Sequence, residues 1–154
     1  MIELAKDFQE ILIELADAEA DFVVIGGYAV AFHGHPRGTK DLDVLVRATA
    51  SNAKRVYQAL AAFGAPLKQL EVQESDFSEY DGVLQIGLPP RRIDILNKAA
   101  GITFNEAVED NLSTQIEGRR VAIIGLKALV KNKKAAGRKQ DLADVAALNR
   151  IKRP

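Results

Sequence analysis

Leu4, Phe8, Ile11, Leu12 and Leu15 recur among acidic and other polar positions at the start of the chain. This spacing of three to four residues predicts an amphipathic helix over residues 2–20 with one buried stripe. A β-branched run from Phe22 to Ile25 stops at Gly26-Gly27, and Tyr28 to Phe32 then reads as a short helix ending near Gly34. Tyr28 and Phe32 fall four apart on that helix, which assigns them to the core rather than to a base-stacking surface. A polar loop rich in Gly and Pro, His33 to Lys40, leads into Asp41 to Val46, which alternates like a strand. Ser51 to Phe63 carries Val56, Leu60 and Phe63 on one helical side. Its cap is Thr49 or Ser51, and Gly64 and Pro66 stop it.

Residues 67–82 are acidic and show no clear period. Two strands are predicted at Gly82–Leu88 and Arg91–Leu96, joined across Pro89-Pro90, a pair too stiff for a helix. Phe104 to Asn111 reads as a short helix, and residues 113–124 as a strand or a hairpin around Glu117-Gly118. Two helical segments close the chain, Leu126–Ala136 and Asp141–Asn149, with Gly137 between them. The pattern specifies an α/β fold: a small mixed twisted sheet with helices on one side, acidic residues at one sheet edge and a C-terminal helical segment folded over it. Residues 1–125 form the core of that single domain, and residues 126–154 the helical segment packed on it.

Composition narrows the chemistry. The 154 residues contain no cysteine, which removes disulfides, thiol nucleophiles and thiolate metal sites. No apolar run approaches the roughly 18–20 residues of a membrane span, and seven charged side chains between Met1 and Ala20 do not suit a signal peptide. The expectation is a cytoplasmic protein with no membrane partner. The zero net charge hides an asymmetry, because residues 126–154 hold nine Lys or Arg against Asp141 and Asp144. That segment is therefore +7 and the rest −7, which suits an anionic partner near the C-terminal helices.

Three carboxylates carry the functional argument. Successive strand residues point to opposite faces, so Asp41 and Asp43 share a face while Leu42 and Val44 take the other. Asp94, between Ile93 and Ile95, likewise projects away from the core. If the two strands are neighbours the three acids meet, and a cation is needed to offset their repulsion. Hard oxygen ligands of this kind suit Mg²⁺ or Mn²⁺. Paired ions of that type, sharing ligands with phosphates, serve phosphoryl or nucleotidyl transfer. Gly26-Gly27 offers a place where backbone approaches a phosphate closely. Arg37 and Thr39, on the loop before the acids, bring a guanidinium fork and a hydroxyl within reach of phosphate oxygens. Lys133 and Arg138 are further candidates for that task. Gly34 and Pro36 give His33 and His35 loop geometry and set them aside as metal ligands.

The combination of Gly26-Gly27 after an apolar strand, Asp41-Leu42-Asp43 and Arg92-Ile93-Asp94-Ile95 resembles the nucleotidyltransferase superfamily of the DNA polymerase beta type. The string from Gly26 to Asp43 is similar to the small prokaryotic branch that includes abortive-infection and toxin-antitoxin nucleotidyltransferases. The resemblance implies the nucleotidyltransferase fold and metal-dependent transfer of a nucleoside monophosphate from a nucleoside triphosphate to a hydroxyl. By that resemblance Asp41, Asp43 and Asp94 hold the metals, Asp94 is the base for the attacking hydroxyl, and Gly26-Gly27 holds the triphosphate. The acceptor it implies is an RNA 3′ end, a protein side chain or a small molecule such as an aminoglycoside. An alternative is a non-catalytic partner in a toxin-antitoxin pair, and a further one is an α/β domain with no nucleotide site. A cognate toxin or antitoxin protein and a homodimer are the expected protein partners.

Overall fold

The computed structural model describes residues 4–87 and 91–153. Ile2 and Glu3 of the first predicted helix, Leu88 of the third predicted strand and the Pro89-Pro90 connection lie outside the described residues.

The amphipathic stripe forms α1 (Lys6–Asp17), which buries Phe8, Ile11, Leu12 and Leu15. Each such side chain contributes about 1.5–3 kcal/mol of hydrophobic stabilisation. β1 (Phe22–Ile25) runs directly into α2 (Gly26–Phe32), so the two glycines form the first turn of that helix rather than a separate turn before it. β2 (Asp41–Val46) follows, then α3 (Ala50–Phe63). Of the two cap candidates Thr49 is the one used: its hydroxyl accepts from the Asn52 N–H at 3.2 Å. The acidic stretch without a period folds as turns around a 3₁₀ segment, Glu74–Phe77, which sets only Phe77 into the core.

β3 (Val83–Ile86) and β4 (Arg92–Leu96) come next, then α4 (Phe104–Val108). The hairpin alternative holds for residues 113–124: β5 (Leu112–Ile116) and β6 (Arg119–Ile123) turn through Glu117 and Gly118, both with positive φ as such tight turns require. The chain closes with α5 (Leu126–Ala136), a left-handed Gly137, and α6 (Lys139–Arg150).

The six strands form one mixed sheet in the order β3-β4-β2-β1-β6-β5. β2 lies parallel to β4 and β1 parallel to β6, while β1–β2, β3–β4 and β5–β6 are antiparallel. Two expectations are corrected here. The acids do not lie at a sheet edge, because β2 and β4 are both interior strands. Nor is the sheet covered on one side alone: every residue of β1 is buried, so both faces are shielded at its centre. Buried Asn52 ties the ends of the central strands together, accepting from the Asp21 N–H at 2.7 Å and donating to the Asp21 and Arg47 carbonyls at 3.0 and 2.9 Å.

Candidate active site

Parallel pairing of β2 with β4 sets Asp41 beside Arg92, Leu42 beside Ile93 and Asp43 beside Asp94. Leu42, Val44, Ile93 and Ile95 are buried on one face, so Asp41, Asp43, Arg92 and Asp94 share the other. The strand alternation read from the sequence thus brings the three acids onto one surface. It also brings Arg92, which sits two residues before Asp94 and therefore points the same way; that spacing was readable and no role was drawn from it. Arg92 donates from Nε and Nη2 to the two oxygens of Asp94 at 2.8 and 3.1 Å, and Nη2 lies 3.2 Å from Asp41 Oδ2.

Asp43 stands differently. No described side chain donates a hydrogen bond to it, and its carboxyl is pushed up to about 7 by burial, by the charge and hydrogen-bond contact of Asp94 and by the charge of Asp41. Two carboxyls in contact and shielded from water, here buried Asp94 and half-buried Asp43, hold a shared proton or need a cation. Among the described residues, however, no three His, Cys, Asp or Glu side chains are already gathered as a metal cage. Arg92 instead supplies the positive charge between Asp41 and Asp94. The donor set still fits a hard divalent cation, since Asp43 and Asp94 present adjacent carboxylate oxygens and Asp41 lies one pleat away on the same strand.

The glycine pair lies against these acids. Gly26 has φ +71°, and a Cβ there would collide with Asp43 Oδ2, so both backbone and space require glycine. The loop from His35 to Lys40 brings Thr39 and Arg37 over Gly27. Arg37 is fixed by α6: its Nε and Nη2 donate to Asp144 Oδ1 and Oδ2 at 2.8 and 3.0 Å.

Asp144 belongs to a buried charge network. Lys133 Nζ lies 3.1 Å from both Asp141 Oδ1 and Asp144 Oδ2, and Arg138 Nε donates to Asp141 Oδ2 at 2.7 Å. Burial alone would raise both aspartates. Hydrogen bonds from Arg138 and Lys133 outweigh it at Asp141, and those from Arg37, Gln140 and Lys133 at Asp144, so both carboxyls sit below the usual range. Arg37, Lys133 and Arg138 therefore border the site while each is paired to α6. Asp144 was missed from the sequence. Its signal was placement: α6 buries Asp141, Asp144, Val145 and Leu148, so two acids occupy the inner stripe of a helix in an otherwise basic segment.

Between these parts opens a cavity of about 680 Å³, bordered by Gly27, Thr39, Asp43, Asp94, Lys133 and Arg138 among others. His33 lies apart from it, buried, with Nε2 2.7 Å from the Ile124 carbonyl oxygen. Tyr28 packs edge-on against Phe8 with ring centroids 5.6 Å apart.

A glycine pair at the end of a central strand, set against acids on two neighbouring strands, is the architecture of the nucleotidyltransferases. A lincosamide antibiotic adenylyltransferase, LnuA, solved with lincomycin bound, superposes with a TM-score of 0.61 at 17% identity, over 97% of this chain and 98% of that one. A Thermotoga maritima protein assigned to the nucleotidyltransferases gives 0.57 at 14% identity, over 97% of both chains. A nucleotidyltransferase-like antigen of Paracoccidioides brasiliensis gives 0.51 at 14% identity, over 94% of this chain and 77% of that one. These are likenesses of fold. The model of the aminoglycoside-2''-adenylyltransferase family matches residues 7–148, and the chain belongs to that family. No curated protein matches the chain significantly. No described helix is long and apolar enough to cross a membrane.

Proposed function

We propose that this chain transfers a nucleoside monophosphate, AMP in the first instance, from a nucleoside triphosphate to a hydroxyl of a small molecule. The observation that carries this reading is the pairing of half-buried Asp43 with Asp94 on neighbouring strands beside the glycine pair, an arrangement whose repulsion a divalent cation relieves. Asp41, Asp43 and Asp94 would hold Mg²⁺ or Mn²⁺, which when bound neutralises phosphate charge and polarises the bond to be broken.

The chain's own groups do the rest. Gly26 and Gly27 border the same cavity as the acids, where their main chain would offer N–H groups to the triphosphate. Arg37, Lys133 and Arg138 place positive charge along its path, with Asp141 and Asp144 fixing their positions. The acceptor oxygen attacks the α-phosphorus, the bond from that phosphorus to the bridging oxygen of the β-phosphate breaks, and pyrophosphate leaves. The hydroxyl proton passes to an oxygen of Asp94, which Arg92 holds facing the cavity. Positioning and electrostatics supply most of the acceleration.

A small-molecule acceptor is favoured over RNA or protein by the family's name and by the likeness to LnuA, a lincosamide antibiotic adenylyltransferase. Calorimetry with ATP and Mg²⁺ tests the nucleotide site: the reading expects metal-dependent binding that Asp41→Asn with Asp43→Asn removes. Absence of such binding in the wild type contradicts it.

A further inference from the structure

Gly27 is buried, and its backbone φ is not in the left-handed region, so no turn geometry requires a glycine there. Space requires it. A Cβ on residue 27 would stand 2.6 Å from Thr39 Oγ1, 2.9 Å from Thr39 Cβ and 3.2 Å from Arg37 Nη2. The Thr39 side chain therefore fills the volume that a side chain on residue 27 would occupy. Its hydroxyl is poorly used by the protein: the hydrogen bond it donates goes to the Asp41 carbonyl at 3.4 Å, at the long limit of such bonds. Thr39 is half-buried and borders the cavity. A phosphate oxygen above Gly27 would meet this hydroxyl together with the guanidinium that Asp144 holds in place.

We propose that Thr39 Oγ1 donates a hydrogen bond to the triphosphate, and that residue 27 is glycine to leave room for it. This rests on the nucleotidyltransferase reading of the cavity and adds to it a mutual dependence: the hydroxyl reaches the phosphate from residue 39 only while residue 27 has no side chain.

Thr39→Val keeps the branched shape and removes the hydroxyl alone. Calorimetry with a non-hydrolysable ATP analogue and Mg²⁺ should give a Kd raised about tenfold, the scale of one hydrogen bond to a charged group, with the thermal midpoint unchanged. Thr39→Ser should stay within about twofold of wild type, since its hydroxyl remains. Gly27→Ser should lower the thermal midpoint and weaken analogue binding. Adding Thr39→Gly to it frees the space and lets the serine hydroxyl substitute, so the double variant should bind more tightly than either single one. Metal-dependent binding by the wild type with an unchanged Kd in Thr39→Val overturns this proposal and leaves the nucleotidyltransferase reading standing. No binding by the wild type overturns both. A Gly27→Ser protein with wild-type melting, or a double variant no better than its parents, overturns the mutual dependence.

Discussion

Asp43 illustrates how one residue links stability to the proposed chemistry. In the folded chain it keeps its proton up to about pH 7, whereas an unfolded aspartate loses it near 3.9. Between those values the folded state binds more protons, so the contribution of Asp43 to stability is full below about pH 4 and lost as pH rises through about 7. We predict that in the absence of divalent cations Asp43→Asn melts higher than wild type at pH 8 and that the advantage vanishes below pH 4. Mg²⁺ should raise the wild-type midpoint at pH 8 more than at pH 5, and should not do so in the variant. His33 works in the opposite sense: burial lowers its pKa below 6.5, so its contribution is lost as pH falls below that value. The comparison between Asp43→Asn and wild type isolates Asp43 from it. Arg92→Gln leaves Asp41 and Asp94 without their cation, and the metal-free protein should melt lower near pH 8, with a larger rise on adding Mg²⁺ than in wild type.

At the level of elements, α6 is tied to the loop before β2 by charge rather than by apolar packing alone. Asp144 is fully buried and faces both Arg37 and Lys133. Asp144→Ala leaves Arg37 without its counter-charge and Lys133 with Asp141 alone, at a cost of about 3–5 kcal/mol measurable by urea unfolding. Gly125 sets a second constraint: a Cβ there would collide with the Glu109 carbonyl oxygen and lie 3.2 Å from that of Asp110. Gly125→Ala should therefore push α5 away from α4 and lower the melting temperature. These elements also mark where the sequence was legible. Amphipathic spacing located α1 and α3, strand alternation assigned the faces of β2 and β4, and Glu117-Gly118 placed the hairpin, because each signal is local. Gly125 and Asp144 were not read because their demands come from residues distant in the chain, Gly125 against α4 and Asp144 against Arg37. The strand order, which sets the acids on interior strands, is likewise a product of long-range pairing.

For the whole molecule, the sheet order brings β2 beside β4 and β1 between β2 and β6, so the acids, the glycine pair and the C-terminal helices converge on one cavity. The charge asymmetry of the sequence finds its place here: Lys133 and Arg138, from the basic segment, border the acidic strands, with two buried aspartates of α6 holding them. The most direct test of the account is transfer itself. The protein should be incubated with α-labelled ATP and Mg²⁺ in separate reactions with an aminoglycoside, with lincomycin, with total RNA and with soluble protein, alongside the Asp41→Asn, Asp43→Asn variant. The account predicts that label moves onto a small molecule with release of pyrophosphate, and that the variant transfers none. Label on RNA or protein instead would contradict the small-molecule acceptor, and neither transfer nor metal-dependent ATP binding would contradict the nucleotidyltransferase site.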